Sequence, residues 1–443
     1  MRAVAWKPGR IAAAALAAAA LALGLVLLHA GGGRIATEQA QGAVLPERAS
    51  HAEVMHFWNS GSERSALNEI RQAFERRGGA WIDTSEPDNG ALRRALVERI
   101  STNTMPAAVL WQSNLELRDM AELGVFGNLD EVADREHWDA LLPPAIRSRV
   151  RIDGHYYMAP TNVHAINWVF YNRNVLQRIG VDEPRTWPEM IAAMHRARAA
   201  GIRPVALGDG EWEVQIMFTT ILAGALGRED YRRLISEQNP SVMDKPSALE
   251  AFKVLAEIRG MTRRGERYPG WDAAAHGLAH GEAAFNFMGD WAKAEMIRSG
   301  GVVGDSLGCM LTPGVQNAIM LTVDGFAFPA TTDPEHIAAR NMLASVMLNR
   351  EVQMRFAAAK GTLPARIDAR PRQPDRCESI LMERLADDTP QLQAPNAGLP
   401  SGLAGDFQML VSRFFADDSM TPEQGRAAMA AMFRSAANRA RGR

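Results

Sequence analysis

Short apolar runs that stop at polar turns, each followed by residues at helical spacing, recur along the chain. The first is Val54-Met55-His56-Phe57-Trp58, which breaks into Asn59-Ser60-Gly61-Ser62, a segment with turn chemistry. Ser60 with Glu63 three residues later fits a capping box, and Leu67, Ile70 and Phe74 then fall on one helix face. Ala80-Trp81-Ile82-Asp83 reads as a second strand. A helix from about Gly90 to Ile100 follows, with Leu92, Leu96, Val97 and Ile100 as its apolar face. Pro106 opens a buried strand, Ala107 to Trp111, that exits through Gln112-Ser113-Asn114 into a helix over Leu115 to Leu123. Strand, helix, strand, helix is the rhythm of an α/β fold with a parallel sheet and right-handed crossovers.

Beyond Gly154 the pattern turns extended as far as Pro160, passes through Asn162-Val163-His164, and continues in a strand, Asn167 to Tyr171. Thr186-Trp187-Pro188-Glu189 supplies a cap, a first-turn proline and a capping-box glutamate for another helix. Pro204 to Leu207 reads as a strand and Ser247 to Ile258 as a long helix. Phe285 to Met288 is a strand that exits at Gly289-Asp290-Trp291. A strand over Leu321 to Phe328 and amphipathic helices over Ala338 to Leu348 and Val352 to Ala358 follow. Lys360-Gly361-Thr362-Leu363-Pro364 then breaks the pattern, and the end is helical from about Asp406.

With 443 residues, 47% of them hydrophobic, the chain has material for two cores. A formal net charge of -2 gives no electrostatic case for nucleic acid. The basic clusters Arg93-Arg94 and Arg263, Arg264 and Arg267 read as solvated surface, and the basic tail Arg434 to Arg443 as a frayed end. At the other end, Arg2, Lys7 and Arg10 precede an apolar run from Ile11 to Leu28, the layout of a secretory signal peptide. Residues 1–30 are expected to form it and 31–50 a loose linker. Cleavage follows Ala30, or lies further on where Ala40-Gln41-Gly42 leads into Ala43. The run is also long enough to span a bilayer, so a retained anchor is the alternative. In an exported protein the only two cysteines, Cys309 and Cys377, could form one disulfide, worth about 4 kcal/mol on chain entropy. Two buried thiols are the other reading; no zinc spacing is present and no metal or cofactor is expected.

Ligands in open α/β sheets bind beyond the carboxyl ends of strands. Trp58 stands there as a flat apolar ring among hydrogen-bonding groups, which suits the C–H face and hydroxyl edge of a sugar; the plain alternative is a core ring and a helix cap. A secreted glycoside hydrolase using Glu63, Asp290 or Asp324 as paired carboxylates is a rival reading, and a membrane-tethered sugar sensor a third. His276 and His280 are four apart, but the sequence His276-Gly277-Leu278-Ala279-His280 lacks the glutamate of a zinc hydrolase.

Five segments taken together resemble one family, the extracellular solute-binding proteins of ABC importers in their carbohydrate branch, with glucose/mannose-binding members the nearest. They are His56 to Glu63, Asn162 to Trp168, Thr186 to Glu189, Met288-Gly289-Asp290-Trp291-Ala292-Lys293 and Lys360 to Arg366, in family order over nearly all of the chain after residue 50. The resemblance implies a non-catalytic receptor, two α/β lobes, a multi-strand hinge and an inter-lobe ligand cleft. It implies crossings near residues 159–164, 320–324 and 362–368. The N-terminal lobe would then comprise 52–160 plus 322–362, and the C-terminal lobe 163–320 plus 366–440. It further implies a monomer in the periplasm that delivers a monosaccharide, a glucose-like hexose favoured, to membrane permease subunits. The two cysteines fall where glucose-binding relatives carry a pair, which supports a Cys309–Cys377 bridge.

By the same resemblance, Trp58 and Trp271 are opposing rings that sandwich a pyranose, at about 1 kcal/mol each beyond area burial. Trp291 would be a cleft-edge ring. Glu63, Gln112 (or its neighbour Ser113), Asp324 and Lys360 would hold sugar hydroxyls through charge-assisted or amide bonds. Ser60 would add a hydroxyl, and His164 sits at a hinge crossing. The chain departs from the glucose pattern at Phe57 (Trp in close relatives), Thr322 (Asn in one) and Leu399, the nearest match to a lost histidine. An unreplaced partner would cost ~1–3 kcal/mol.

Overall fold

The computed structural model describes residues 50–262, 264–386 and 391–441. The signal peptide, most of the linker and Arg263 lie outside the described residues. Strands β1 (Ser50–His56), β2 (Gly79–Ser85) and β3 (Ala108–Gln112) alternate with helices α1 (Gly61–Arg76) and α2 (Asn89–Thr102), and α3 (Leu115–Glu122) follows. Pairing of β1 is parallel to both β2 and β3. At the start of α1, Ser60 Oγ accepts the Glu63 N–H and Glu63 Oε2 accepts the Ser60 N–H, closing the expected capping box. The helix then turns Leu67, Ile70 and Phe74 into the core. Full burial of such side chains stabilises by about 1.5–3 kcal/mol each.

A small hairpin, β4 (Arg151–Ile152) with β5 (His155–Tyr156), leads to β6 (Met158–Ala165) and β7 (Trp168–Asn172). Only Ile166 and Asn167 separate these two strands, yet they belong to different sheets. β8 (Arg203–Val205), α4 (Glu211–Ile235), α5 (Trp271–Ala279), β9 (Ala283–Met288), α6 (Trp291–Arg298) and β10 (Leu307–Leu311) come next. β11 (Ile319–Ala327), α7 (Arg350–Lys360), β12 (Leu363–Pro364), α8 (Arg376–Ala386) and β13 (Gln391–Leu392) complete the elements used below.

The first sheet runs β12-β6-β11-β3-β1-β2, with β13 beside the start of β11; the second runs β10-β7-β9-β8. Each sheet carries helices, giving a two-lobed α/β fold. The chain passes between the sheets where β6 meets β7 and where β10 leads to β11. Asn167 stitches these two connections together: its Nδ2 donates to Ala318 O at 3.0 Å and its Oδ1 accepts the Met320 N–H at 2.9 Å.

Several expectations need correction. The sheets are mixed: β11 is antiparallel to β3 and β6, and β7 to β9 and β10. Strands that return from the other sheet enter from the opposite end, which a local strand–helix rhythm does not convey. In α2 only Leu92 and Leu96 are buried, while Val97 and Ile100 are 62% and 40% exposed; Val97 lies 100° around the helix from Leu96. Arg93 is no solvated charge: its guanidinium lies 4.6 Å from the Trp111 ring centre and pairs with Glu116, and burial pulls its pKa down to about 10. Arg267 is also held, its Nε donating to Gly208 O at 2.8 Å. The tail is helical over Pro422–Arg441, and Arg434 pairs with Asp244 at 2.6 Å.

Cys309 in β10 and Cys377 in α8 are bridged, with their Cα atoms 6.0 Å apart. Among the described residues, no helix is long and apolar enough to cross a membrane.

Candidate functional site

Of the residues singled out from the sequence, Asp324, Lys360, His164, Gln112, Trp58 and Trp291 are linked to one another where the two sheets meet. Asp324 stands mid-way along β11, opposite Gln112 on β3 and Asn162 on β6, beside a shift in register. Its Oδ2 accepts from Lys360 Nζ at 3.3 Å and lies 2.9 Å from His164 Nε2. Gln112 Nε2 reaches its Oδ1 at 3.4 Å. The other nitrogen of His164, Nδ1, is 2.5 Å from Asp290 Oδ1, while Asp290 Oδ2 accepts the Ala165 N–H at 3.2 Å. A chain of alternating charge, Lys360–Asp324–His164–Asp290, thus runs from α7 through two crossing strands to the exit of β9. All four side chains are buried.

Electrostatics overrides burial at Asp324 and His164, whereas at Lys360 burial wins and lowers the ammonium below its usual 10.5. Burial alone would push the Asp324 carboxyl up, but the Lys360 ammonium and the His164 imidazolium overcome it and hold it well below its usual 3.8. Burial would likewise discharge His164, and the carboxylates of Asp290 and Asp324 raise it above its usual 6.5 instead. For Glu63 burial wins: the carboxyl is raised above 4.5 although Lys360 and the Ser60 and Asn59 N–H groups favour its charge. Glu63 Oε2 is engaged by those two N–H groups at 3.1 Å each, so the capping role is real.

Trp58 is 1% exposed. Its ring packs edge-on against Phe326 and tilted against Phe356, and Lys360 Nζ sits over it, 3.4 Å from the ring centre. The ring face expected to meet a ligand therefore carries an ammonium group. Ser60 is buried and spends its hydroxyl on the helix cap. Ser113, the alternative to Gln112, instead locks onto β11, its N–H donating to Val323 O at 2.9 Å.

Around the second sheet the groups are aromatic. Trp271 opens α5 and Trp291 opens α6, both half-buried against the same apolar cluster as Trp58. Trp291 meets His164 edge-on at 5.0 Å. Trp212, which sequence reasoning missed, lies 6.4 Å from Trp291 and is also half-buried. The signal for it was present: Gly208-Asp209-Gly210 follows a strand, the same strand-exit chemistry that marked Trp58 and Trp291.

The two sides touch directly. The Ser62 N–H, in the first turn of α1, donates to Glu295 Oε1 of α6 at 2.6 Å. Gly361 ends α7 with φ +77°, and a Cβ there would come within 2.9 Å of Ala294 N, so only glycine permits this approach. Neither Glu295 nor this contact was legible from pattern, because the partners are far apart in sequence. Leu399 is buried in the apolar cluster of the second sheet, and Asn396 Nδ2 reaches Gln112 Oε1 at 3.4 Å.

His276 and His280 do not converge: the first is 3.1 Å from Glu295 Oε2 and the second 2.8 Å from Ser299 Oγ. Among the described residues no cluster of metal-ligating side chains forms. A hollow of about 780 Å³ opens on the second lobe, lined by residues such as Arg259, Arg267, Met409 and Arg413. It includes none of the converging residues, and Arg259 is spent on the carbonyls of Phe414, Asp417 and Met420.

Residues 59–340, more than half of the chain, match the family described as bacterial extracellular solute-binding protein. A probable sugar-binding periplasmic protein of Rhizobium meliloti (strain 1021) is 31% identical over 347 residues, 78% of this chain and 83% of the relative. Among solved structures, the bacterial solute receptor AcbH, described with an exclusive preference for β-D-galactopyranose, superposes with a TM-score of 0.74 at 17% identity. The match covers 88% of this chain and 98% of that one. RafE in complex with raffinose gives 0.70 at 18% identity, covering 86% and 99%. With the family so matched, the hydrolase reading falls away. The chain belongs to the bacterial extracellular solute-binding proteins, as a non-catalytic, sugar-binding receptor of the carbohydrate branch that works with ABC importer permeases.

Proposed function

We propose that this receptor captures a monosaccharide, with a glucose-like hexose favoured, as a monomer exported to the periplasm by residues 1–30. The N-terminal lobe is read as 52–160 plus 322–362 and the C-terminal lobe as 163–320 plus 366–440. The ligand lies between them, among Trp58, Ser60, Glu63, Gln112, His164, Trp271, Trp291, Asp324 and Lys360. The single observation that carries this reading is the placement of Asp324, Lys360 and His164 on and beside the crossing strands, next to half-buried indoles. Ionised acceptors and donors there bond hydroxyls strongly, and rings cover C–H faces.

Within this site His164 orients Asp324, and Lys360 has to leave the face of Trp58 if a pyranose is to stack there. Closure couples to occupancy because a ligand touching both lobes binds only the shut form. The similarity to a receptor described with β-D-galactopyranose supports a single-ring ligand. A second reading, a raffinose-sized ligand, is favoured by Trp212 beside Trp291, which extends the aromatic surface.

Thermal unfolding across hexoses, pentoses, disaccharides and raffinose tests this, since a ligand of the folded state raises its stability. A saturable rise with one hexose, reduced in Trp271→Ala without loss of fold, is expected. A response to raffinose alone would move the ligand class, and silence across every sugar would remove the proposed site.

A further inference from the structure

One buried carboxyl takes no part in the site described above. Glu213, in the first turn of α4, is 1% exposed. Its two oxygens are divided between two N–H groups of the loop that precedes the helix: Oε2 accepts from Gly208 at 2.8 Å and Oε1 from Gly210 at 3.2 Å. Arg267 holds the same loop from the other side through the Gly208 carbonyl. The packing admits nothing larger than glycine at 208, where a Cβ would lie 2.4 Å from Glu213 Oε1 and 2.6 Å from the Gly270 carbonyl carbon. Gly270 is the residue from which α5 starts, with Trp271 next. Trp212 precedes Glu213 directly, and its indole nitrogen lies against Gly210. One carboxylate therefore holds the loop that packs against Gly270 and leads into Trp212.

We propose that Glu213 is the positioning residue of the aromatic wall, clamping the 208–210 loop against Gly270 so that Trp212 and Trp271 are presented together. Ionised, it accepts both N–H groups. Protonated, one oxygen becomes an O–H donor and one N–H loses its acceptor. Burial pushes this carboxyl up to about 7, with the two N–H bonds and Arg267 opposing and Asp209 adding to the rise. Those two are the charged groups that face it; Asp272, in the first turn of α5, stands beside Gly270. The clamp thus tightens as pH rises through neutrality. Its relevance to sugar capture rests on the assignment of Trp271 to the cleft, but the clamp itself does not.

The test needs no ligand. Acrylamide quenching of tryptophan emission in the full chain, followed from pH 5.5 to 8.5, is expected to fall in one step centred near 7. Glu213→Gln should abolish the step, and Trp212→Phe should shrink its amplitude. Arg267→Met, which removes the opposing cation, should move the midpoint upward, and serves if Glu213→Gln does not fold. A step unchanged in Glu213→Gln, an unmoved midpoint in Arg267→Met, or no step in the parent protein would overturn the proposal. Sugar binding measured separately decides the cleft assignment, so the two failures are distinguishable.

Discussion

On the wall built around the first sheet, charge is buried and already paired; on the wall built around the second, indoles are half-buried. Asp324 and His164 each serve two charged partners, and Lys360 divides its charge between Asp324 and the Trp58 ring. Trp212, Trp271 and Trp291 are half-buried, and Trp291 borders the apolar clusters of both sheets. A polar ligand entering here would have to compete with existing ion pairs on the first wall. If the ligand lies between them as proposed, specificity belongs to the ionic wall, where exchanging partners is costly, and contact area to the aromatic wall.

Breaking the ionic wall should have the largest effect. Asp324→Ala leaves Lys360 and His164 buried without their shared anion, and a loss of about 3–5 kcal/mol in urea unfolding is expected. A loss below about 1 kcal/mol would show that the wall is not a coupled unit. The pH dependence has a defined sign. The lowered Asp324 contributes stability above pH 3.8 that is lost as pH falls through its depressed value. The raised His164 contributes stability below pH 6.5 that is lost as pH rises through its elevated value. Both are in force between those limits, so unfolding free energy should peak there and flatten on the alkaline side in His164→Gln.

The aromatic wall is braced from behind. Lys293 of α6 pairs with Asp375 at 2.6 Å and Glu378 at 3.1 Å beside α8, which the Cys309–Cys377 bridge ties to β10. Opening that bridge with a double serine variant should cost up to about 4 kcal/mol for a separation of 68 residues. The loss is read as a lower urea midpoint that reductant no longer affects. Trp271→Ala should weaken sugar binding on the order of tenfold in a titration while moving stability far less. Equal losses in both would make Trp271 a core ring and erase the contrast between the walls.

The smallest effect concerns the contact between the walls. Glu295 places a carboxylate on the first turn of α1, and Ser62 donates to it across the gap. Glu295→Gln removes a charge worth about 0.3–1 kcal/mol at a helix N-terminus. The ligand-free protein should then populate a more open form, seen as a larger radius of gyration in solution scattering. An unchanged radius would mean that packing alone, as at Gly361 against Ala294, holds the lobes together.

Much of the architecture was readable from local pattern. The capping boxes at Ser60/Glu63 and Thr186/Glu189 formed as spacing required, since a cap involves residues three apart. Strand exits pointed to Trp58 and Trp291 as candidate rings and the family resemblance to Trp271, yet the same strand-exit logic passed over Trp212. The pattern misjudged Val97 and Ile100, because an apolar residue on a helix is buried only if something covers it. It misjudged Arg93 and Arg267, whose guanidinium groups find a ring and a carbonyl that are distant along the chain.

By itself the sequence determined the alternation of strands and helices, the caps that start them, and the residue types available for a sugar-like ligand. These depend on contacts within one helical turn or on side-chain alternation. Tertiary structure alone decided that Asp324 meets His164 and Lys360, that Trp58 carries an ammonium on its face, and that β11 runs against its neighbours. Such pairings join residues far apart along the chain, His164 and Asp324 by 160 positions and Trp58 and Lys360 by more. Their energies depend on burial and on the full set of competing partners, which no local spacing encodes.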